Sequence, residues 1–486
     1  MSDSLRERTI SGMLWSFMQK FGTMAIAFVA NIVLARLLTP DDYGCIGMLL
    51  IFIAVANTFI DGGFGSALIQ KKEPTQEDYS TIFYWNLFLS IVLYGILFFT
   101  APFIADFYEI SLLTPVLRVQ GGVLILNALS IIQCNQLRKQ LRFRSIASVN
   151  LTASLLSVVI TIVLAWIGWG IWALVAQQLL FSLFNAILFW SFNKWVPSFL
   201  FSKKSFKELF GFGGFILLSS LINTFCDNIH GVLIGKFFSP AIMGLYTQAR
   251  KLEEIASTSI SSVVNQVAYP VLSEFQNDNL SMIRVLQRFI TSLAFLVFPL
   301  MMLLILIAKP LIILLYSDKW VASVPYFQIL CIAGMAICLQ MINYNAVAAI
   351  GRSDILLKWT IIKRSLGLIL NIGGLICFGM YGLLWGGVLT AYSLYFINSY
   401  LVSRYVGYRI KSQIKDLFPI IITVLLTFVI TYFLSNLVVL NIYFEGLSVT
   451  IIFMILYLSL SSVFNLSSFN QFRTLGVEVI KKFRTA

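Results

Sequence analysis

Most ionisable side chains of this chain lie between apolar runs, and the few inside them are where chemistry could use them. Lys20 lies about ten residues into the first apolar run and Asp61 about seven from the end of the second, depths of roughly 10–16 Å in a helix rising 1.5 Å per residue. The two are level enough to form a structural pair or to face a hydrated cavity. Asp227, His230 and Arg250 gather in the seventh and eighth runs, with Glu253 and Glu254 one turn deeper. An ionisable group in hydrocarbon costs several kcal/mol unless it is paired or meets water, so such a cluster reads as the wall of a water-filled passage. Lys363 and Arg364 stand about two turns into the eleventh run, where they can snorkel to the surface or hold a phosphate. Lys20, Asp61, Asp227, His230, Arg250, Glu253, Lys363 and Arg364 are therefore the candidate substrate-facing residues.

Other chemistries lack their residues. The Gly235-Lys236 pair is followed by Phe237, not by the Ser or Thr of a phosphate-binding loop, so the chain does not hydrolyse ATP by itself. A single histidine leaves no His-based metal cluster, and nothing calls for a cofactor. The six cysteines sit in apolar stretches without CxxC spacing and read as buried free thiols filling space. Asp41-Asp42 stands before a helix and suits its positive end better than it suits catalysis. No enzyme is expected.

The elements that carry these charges follow from composition. Apolar residues make up 59% of 486 and charged residues 11%, under half the roughly 25% of a soluble domain. A fold of this size cannot hide that much apolar surface, so lipid must cover it. With roughly 20 residues per crossing, about fourteen transmembrane helices are expected. They lie near 10–38, 44–68, 79–105, 116–137, 146–168, 170–193, 209–237, 242–272, 287–308, 322–350, 355–378, 381–403, 416–436 and 444–464. The tightest hairpins close at Gly168-Trp169-Gly170 and Gly379-Met380-Tyr381-Gly382. The run after Arg6 and Arg8 is too long for a cleaved signal and reads as the first span.

Charge then sets the topology. With the amino terminus in the cytoplasm, most of the 34 Lys and Arg fall inside, including the basic tail with Lys481, Lys482 and Arg484. Arg36, Arg118, Lys236, Lys309 and Lys319 fall outside, Arg36 and Arg118 as interface anchors. Both termini are thus expected inside. The net charge of +13 reflects this loop bias and not nucleic-acid binding.

NIVLARLLTPDDYG (31–44) reappears as GVLIGKFFSPAIMG (231–244), where Pro40 and Pro240 are expected to stop one helix and Gly44 and Gly244 to open the next. The architecture expected is an all-α polytopic membrane protein. It has a six-helix bundle over 1–200, a pseudo-repeat of it over 201–405, and two further helices with a basic tail over 406–486. None of the charged candidates recurs at this offset: Ala27, Ala30, Leu50, Ser220 and Ser261 stand opposite them. The charges are not part of the duplicated scaffold.

LARLLTPDDYGCIGM (34–48), DGGFGSALIQKKE (61–73), GLYTQARKL (244–252) and AYPVLSEFQND (268–278) resemble the polysaccharide transporter family of lipid-linked oligosaccharide flippases. That family belongs to the superfamily that also holds multidrug extruders and the lipid II flippase. The resemblance covers the first ten or so spans and implies two helical bundles around a partly cationic cavity. It further implies translocation of undecaprenyl-pyrophosphate-linked oligosaccharide units for O-antigen, capsule or exopolysaccharide, across the bacterial cytoplasmic (inner) membrane. The partners it implies are the lipid-linked substrate, the bilayer, a polysaccharide polymerase and chain-length machinery. A drug/cation antiporter of the same superfamily would instead need an acid-dominated cavity. A membrane-embedded polymerase would need a large outer loop.

Overall fold

The computed structural model describes residues 3–276, 278–437 and 441–474; the tail with Lys481, Lys482 and Arg484 lies outside them. Among the described residues there are helices and no strands. In chain order the helices are α1 (Asp3–Leu37), α2 (Pro40–Asp61), α3 (Phe64–Gln70), α4 (Gln76–Tyr108), α5 (Leu113–Gln120), α6 (Gly122–Lys139), α7 (Phe143–Trp166) and α8 (Ile171–Phe192). There follow α9 (Lys203–Phe237), α10 (Pro240–Glu274), α11 (Asn279–Leu306), α12 (Ala308–Tyr316), α13 (Val324–Ala349), α14 (Ser353–Tyr405), α15 (Ile410–Leu437) and α16 (Ile442–Val463).

Twelve stretches of these helices are long and apolar enough to cross a bilayer. One of them, Lys358–Tyr405, is two helices joined at Phe378 and Gly379, whose backbone leaves the helical region. The hairpin expected at Gly379 is that kink. The 35-residue α10 is long enough to cross but more polar, and counting it with both arms of α14 recovers the expected fourteen. Large side chains such as Phe99, Phe103 and Trp166 point outward, as they do where lipid is the solvent. The chain is a multi-pass membrane protein.

Local signals place the helix ends. Thr39 caps α2 in a box: its hydroxyl accepts from Asp42 N (3.3 Å) while Asp42 Oδ2 accepts from Thr39 N (2.9 Å). Asp42 thus serves the helix start, as expected. Thr75 and Asp78 repeat the device at α4. The expectation for Pro40 and Pro240 is corrected: each is the first residue of its helix, where a missing N–H costs nothing. Gly44 and Gly244 lie a turn inside, and their role is contact. A side chain on Gly44 would collide with the Pro240 carbonyl, and one on Gly244 with the Pro40 carbonyl. The two copies of the repeated motif cross backbone to backbone.

The second span also breaks where a continuous helix was expected. Gly62 and Gly63 both take positive φ (55° and 70°), turning α2 into the short α3. Gly63 lies so close to the Gly213 carbonyl that a Cβ would stand 2.5 Å from it.

Contacts divide the chain into two compact units, Met1–Thr247 and Gln248–Ala486, with the boundary inside α10. In the first unit α1 packs along α7, α7 along α8, α2 along α9, and α4 along α6. In the second, α13 packs along α14 and α11, and α15 along α11 and α16.

Candidate functional site

The second unit holds the most heavily buried of the candidate cations. Lys363, on the first arm of α14, is 7% exposed. Its Nζ donates to Asn398 Oδ1 (3.0 Å) on the second arm and lies 5.5 Å from the ring centre of Tyr344 on α13. Asn398 Nδ2 donates in turn to the Gln340 carbonyl (3.3 Å). Among the described residues no carboxylate forms an ion pair with Lys363. A buried ammonium held by one amide oxygen and a ring face keeps two N–H donors for an anion. Arg364 beside it is half-buried.

The seam around Lys363 is polar well beyond it. Asn343 Nδ2 donates to Ser399 Oγ (3.0 Å) and Gln413 Oε1 (3.2 Å), and Tyr395 OH reaches the same Gln413 oxygen (3.4 Å). These amides were missed in the sequence because depth reading registers charges and passes over Asn and Gln. Their signal was available as amides recurring within runs otherwise free of polar groups.

Glu253 on α10 is 5% exposed, and its Oε1 receives no hydrogen bond among the described residues. It fits because residue 334 on α13 is glycine; any side chain there would collide with Oε1. Glu253 is thus packed within the second unit and does not stand on an open wall. One turn away Arg250 is half-exposed and its Nε pairs with Glu254 Oε1 at 2.8 Å.

In the first unit the candidates are scattered. Lys20 is exposed on α1, and α1 packs along α7; of the two readings of Lys20 and Asp61, the structural pair is not formed among the described residues. Asp61 instead ends α2 at an exposed position, beside Gly65 and the Asn135 amide of α6. Asp227 is exposed on α9, and His230, a turn on, lies 5.9 Å ring to ring from Tyr246. Uncharged contacts join the helices here: Thr58 to Thr224 (3.0 Å) and Asn127 to Asn57 (3.0 Å).

Clips close the ends of this unit. Lys71, in the loop after α3, pairs with Asp78 (3.0 Å) and Glu208 (3.3 Å). Burial works against its charge, yet the two carboxylates outweigh it and raise its pKa. Lys139 donates to the Leu68 and Ile69 carbonyls (3.2 and 3.0 Å) and to that of Lys71, satisfying the end of α3. Arg118 is held against the Phe98 carbonyl (3.2 Å) and ring (4.4 Å). Of the thiols, Cys377 departs from expectation: it is exposed at the kink of α14, where an apolar cleft of about 550 Å³ opens. Among the described residues no group of His, Cys, Asp and Glu converges on a metal site.

The sequence profile described as polysaccharide biosynthesis protein matches residues 33–325. The teichuronic acid biosynthesis protein TuaB of Bacillus subtilis is 27% identical over 73% of this chain and 74% of its own length. The lipopolysaccharide biosynthesis protein WzxC of Escherichia coli is 24% identical over 75% and 74%. The succinoglycan biosynthesis transport protein ExoT of Rhizobium meliloti is 24% identical over 72% and 71%. Among solved structures the lipid II flippase MurJ superposes with a TM-score of 0.75 at 17% identity, covering 93% of this chain and 98% of that one. A multidrug resistance MATE family transporter does so at 0.59 and 15%, covering 82% and 98%. These two likenesses establish the fold.

Proposed function

The chain belongs to the family of polysaccharide biosynthesis proteins, and from that premise we propose that it is a flippase for lipid-linked oligosaccharides. Its substrate is an undecaprenyl-pyrophosphate-linked repeat unit of O-antigen, capsule or exopolysaccharide, moved from the inner to the outer leaflet of the bacterial cytoplasmic membrane. No covalent step is its own. Both termini lie in the cytoplasm, as the basic loops require. The halves 1–200 and 201–405 descend from one bundle, with 406–486 appended.

The observation that carries this reading is Lys363, a deeply buried cation with donors to spare and, among the described residues, no carboxylate paired with it. A sugar diphosphate cannot cross hydrocarbon unaided, and its charge-assisted hydrogen bonds to such a cation replace those it loses from water. Within the second unit Arg364 adds a second cation next to Lys363 in sequence and Arg250 a third on α10; in the first unit Lys20, Asp61 and Asp227 are exposed, where water or substrate can meet them. An antiporter of cationic drugs would place an unpaired acid where Lys363 stands.

The test is translocation in proteoliposomes of a fluorescent polyprenyl-diphosphate oligosaccharide, scored by a membrane-impermeant glycosidase. Lys363→Gln and Arg250→Ala lower the rate at least about tenfold, the worth of one charge-assisted hydrogen bond, while the protein stays monodisperse. Unchanged rates in both variants sink this role for the cations. A wild-type protein that moves cationic drugs but no such lipid sinks the flippase reading.

A further inference from the structure

The ten residues from 193 to 202 join α8 to α9 and are not helical, yet they are held firmly. Gln76 Nε2 donates to the Val196 carbonyl (2.8 Å), and Gln133 Nε2 to that of Trp195 (3.0 Å). Ser198 N donates to Ser80 Oγ and Ser202 N to Thr81 Oγ1, each at 3.0 Å. Buried Asn193 donates to Gln133 Oε1 and Gln136 Oε1 (2.7 and 2.8 Å). Every fixed point lies on α4 or α6, inside the first unit.

A connection tied down this well could tuck its apolar side chains inward. It presents them outward instead: Phe199 is 96% exposed and Val196 66%, with Leu200 and Phe201 beside them. The exposed lysines 194, 203, 204 and 207 flank this tip in sequence. Glu208, the nearest acid in sequence, is engaged by Lys71. The stretches long and apolar enough to cross a bilayer on either side end at Phe192 and resume at Gly213, so the segment lies between two candidate spans, outside both.

We propose that this segment is a foot seated in the headgroup layer of an anionic leaflet. Phe199, Leu200 and Phe201 enter the acyl boundary, and Lys194, Lys203, Lys204 and Lys207 pair with phospholipid phosphates. The chemistry is that of interfacial anchors: apolar side chains gain only by leaving water, and flanking lysines gain only where the surface is negative. Pinning the backbone in advance removes the ordering cost that a loose loop would meet on insertion. A soluble partner protein could cover the tip too, but four exposed lysines flanking it in sequence, between the ends of two candidate spans, match a negative lipid surface.

The full-length protein carrying Phe199→Cys, with Cys134, Cys226 and Cys377 replaced by serine, takes a nitroxide at position 199. It is reconstituted in nanodiscs of phosphatidylcholine alone or with phosphatidylglycerol. Collision with oxygen against a water-soluble nickel chelate reports depth. The label lies below the phosphates when phosphatidylglycerol is present. Replacing all four lysines by glutamine moves it outward and costs at least roughly tenfold in preference for phosphatidylglycerol over phosphatidylcholine, taking about fivefold per lysine as the ceiling. A label equally open to the nickel chelate in both lipids overturns the foot and leaves the tip to a soluble partner. Equal immersion in both lipids, unmoved by the lysine changes, overturns the anionic preference. Should the four-lysine variant fail to fold, the comparison of the two lipids decides by itself.

Discussion

Replacing Gly44 with alanine puts a methyl group into the Pro240 carbonyl, and replacing Gly244 puts one into the Pro40 carbonyl. Both obstacles are backbone, so no side chain can rotate away and the helices must part. Overpacking a filled site costs about 1–3 kcal/mol, and immovable neighbours put this one near the top of that range. Alanine recovers about 0.5–1 kcal/mol over glycine inside a helix, leaving a net loss of about 2 kcal/mol for each single variant. One contact serves both positions, so once the first methyl has opened it the second costs less. The double variant loses less than the sum of the two, with a coupling of about 1 kcal/mol or more. Thermal unfolding in detergent, followed by intrinsic fluorescence, reads this at roughly 2–4 °C per kcal/mol for a unit of this size. Gly95→Ala is the control, since nothing lies within 4 Å of its Cβ position. It should unfold at the wild-type temperature or slightly above. Single variants as stable as Gly95→Ala, or losses that simply add, refute the crossing.

The same logic applies in the second unit. Gly334→Ala collides with Glu253, so it should destabilise by about 1–3 kcal/mol, and adding Glu253→Ala should relieve most of that; a double variant worse than Gly334→Ala would deny the contact. Thr75→Ala removes the hydroxyl of the α4 capping box and should cost about 1 kcal/mol, whereas Thr75→Ser should keep nearly all of it; equal losses would count against the cap. Asp278 caps α11, and the Ser281 hydroxyl and N–H, with Leu280 N, hold its carboxyl below the usual range. Because its folded pKa is lowered, its contribution is present above the ordinary Asp value near 4 and is lost as pH falls through the folded value. Hydrogen exchange at the start of α11 should rise across that acid window in the wild type and be pH-independent, at the raised level, in Asp278→Ala once the intrinsic rate is divided out. A flat wild-type profile would remove Asp278 from the cap.

How much of this was legible depended on which physical rule left a mark in the residues. The spans were legible because hydrocarbon demands long apolar runs, and the tight hairpin at Gly168 and Gly170 because only glycine takes their positive φ cheaply (95° and 53°). The polar helix α10 was found through its flanking breaks and not through hydropathy. The Lys20–Asp61 pair failed for a definable reason: counting residues from the membrane edge fixes depth but says nothing of azimuth. Two residues at one level on helices facing different partners never meet. The repeat was visible as a spacing, yet its meaning as a crossing of glycines needed coordinates. Glu253 and Lys363 were both found by depth, and only packing separated a carboxyl filling the space left by Gly334 from a cation with free donors.

The two arms of α14 meet through bare main chain: a side chain on Gly374 would strike the Gly382 carbonyl, one on Gly382 that of Gly374, and one on Gly386 that of Leu370 at 2.5 Å. Sliding one arm along the other would drive each carbonyl over a Cα hydrogen with no soft side chain to absorb the step. The hairpin is therefore stiff along its length, and drift in its sequence has room away from that seam but none along it.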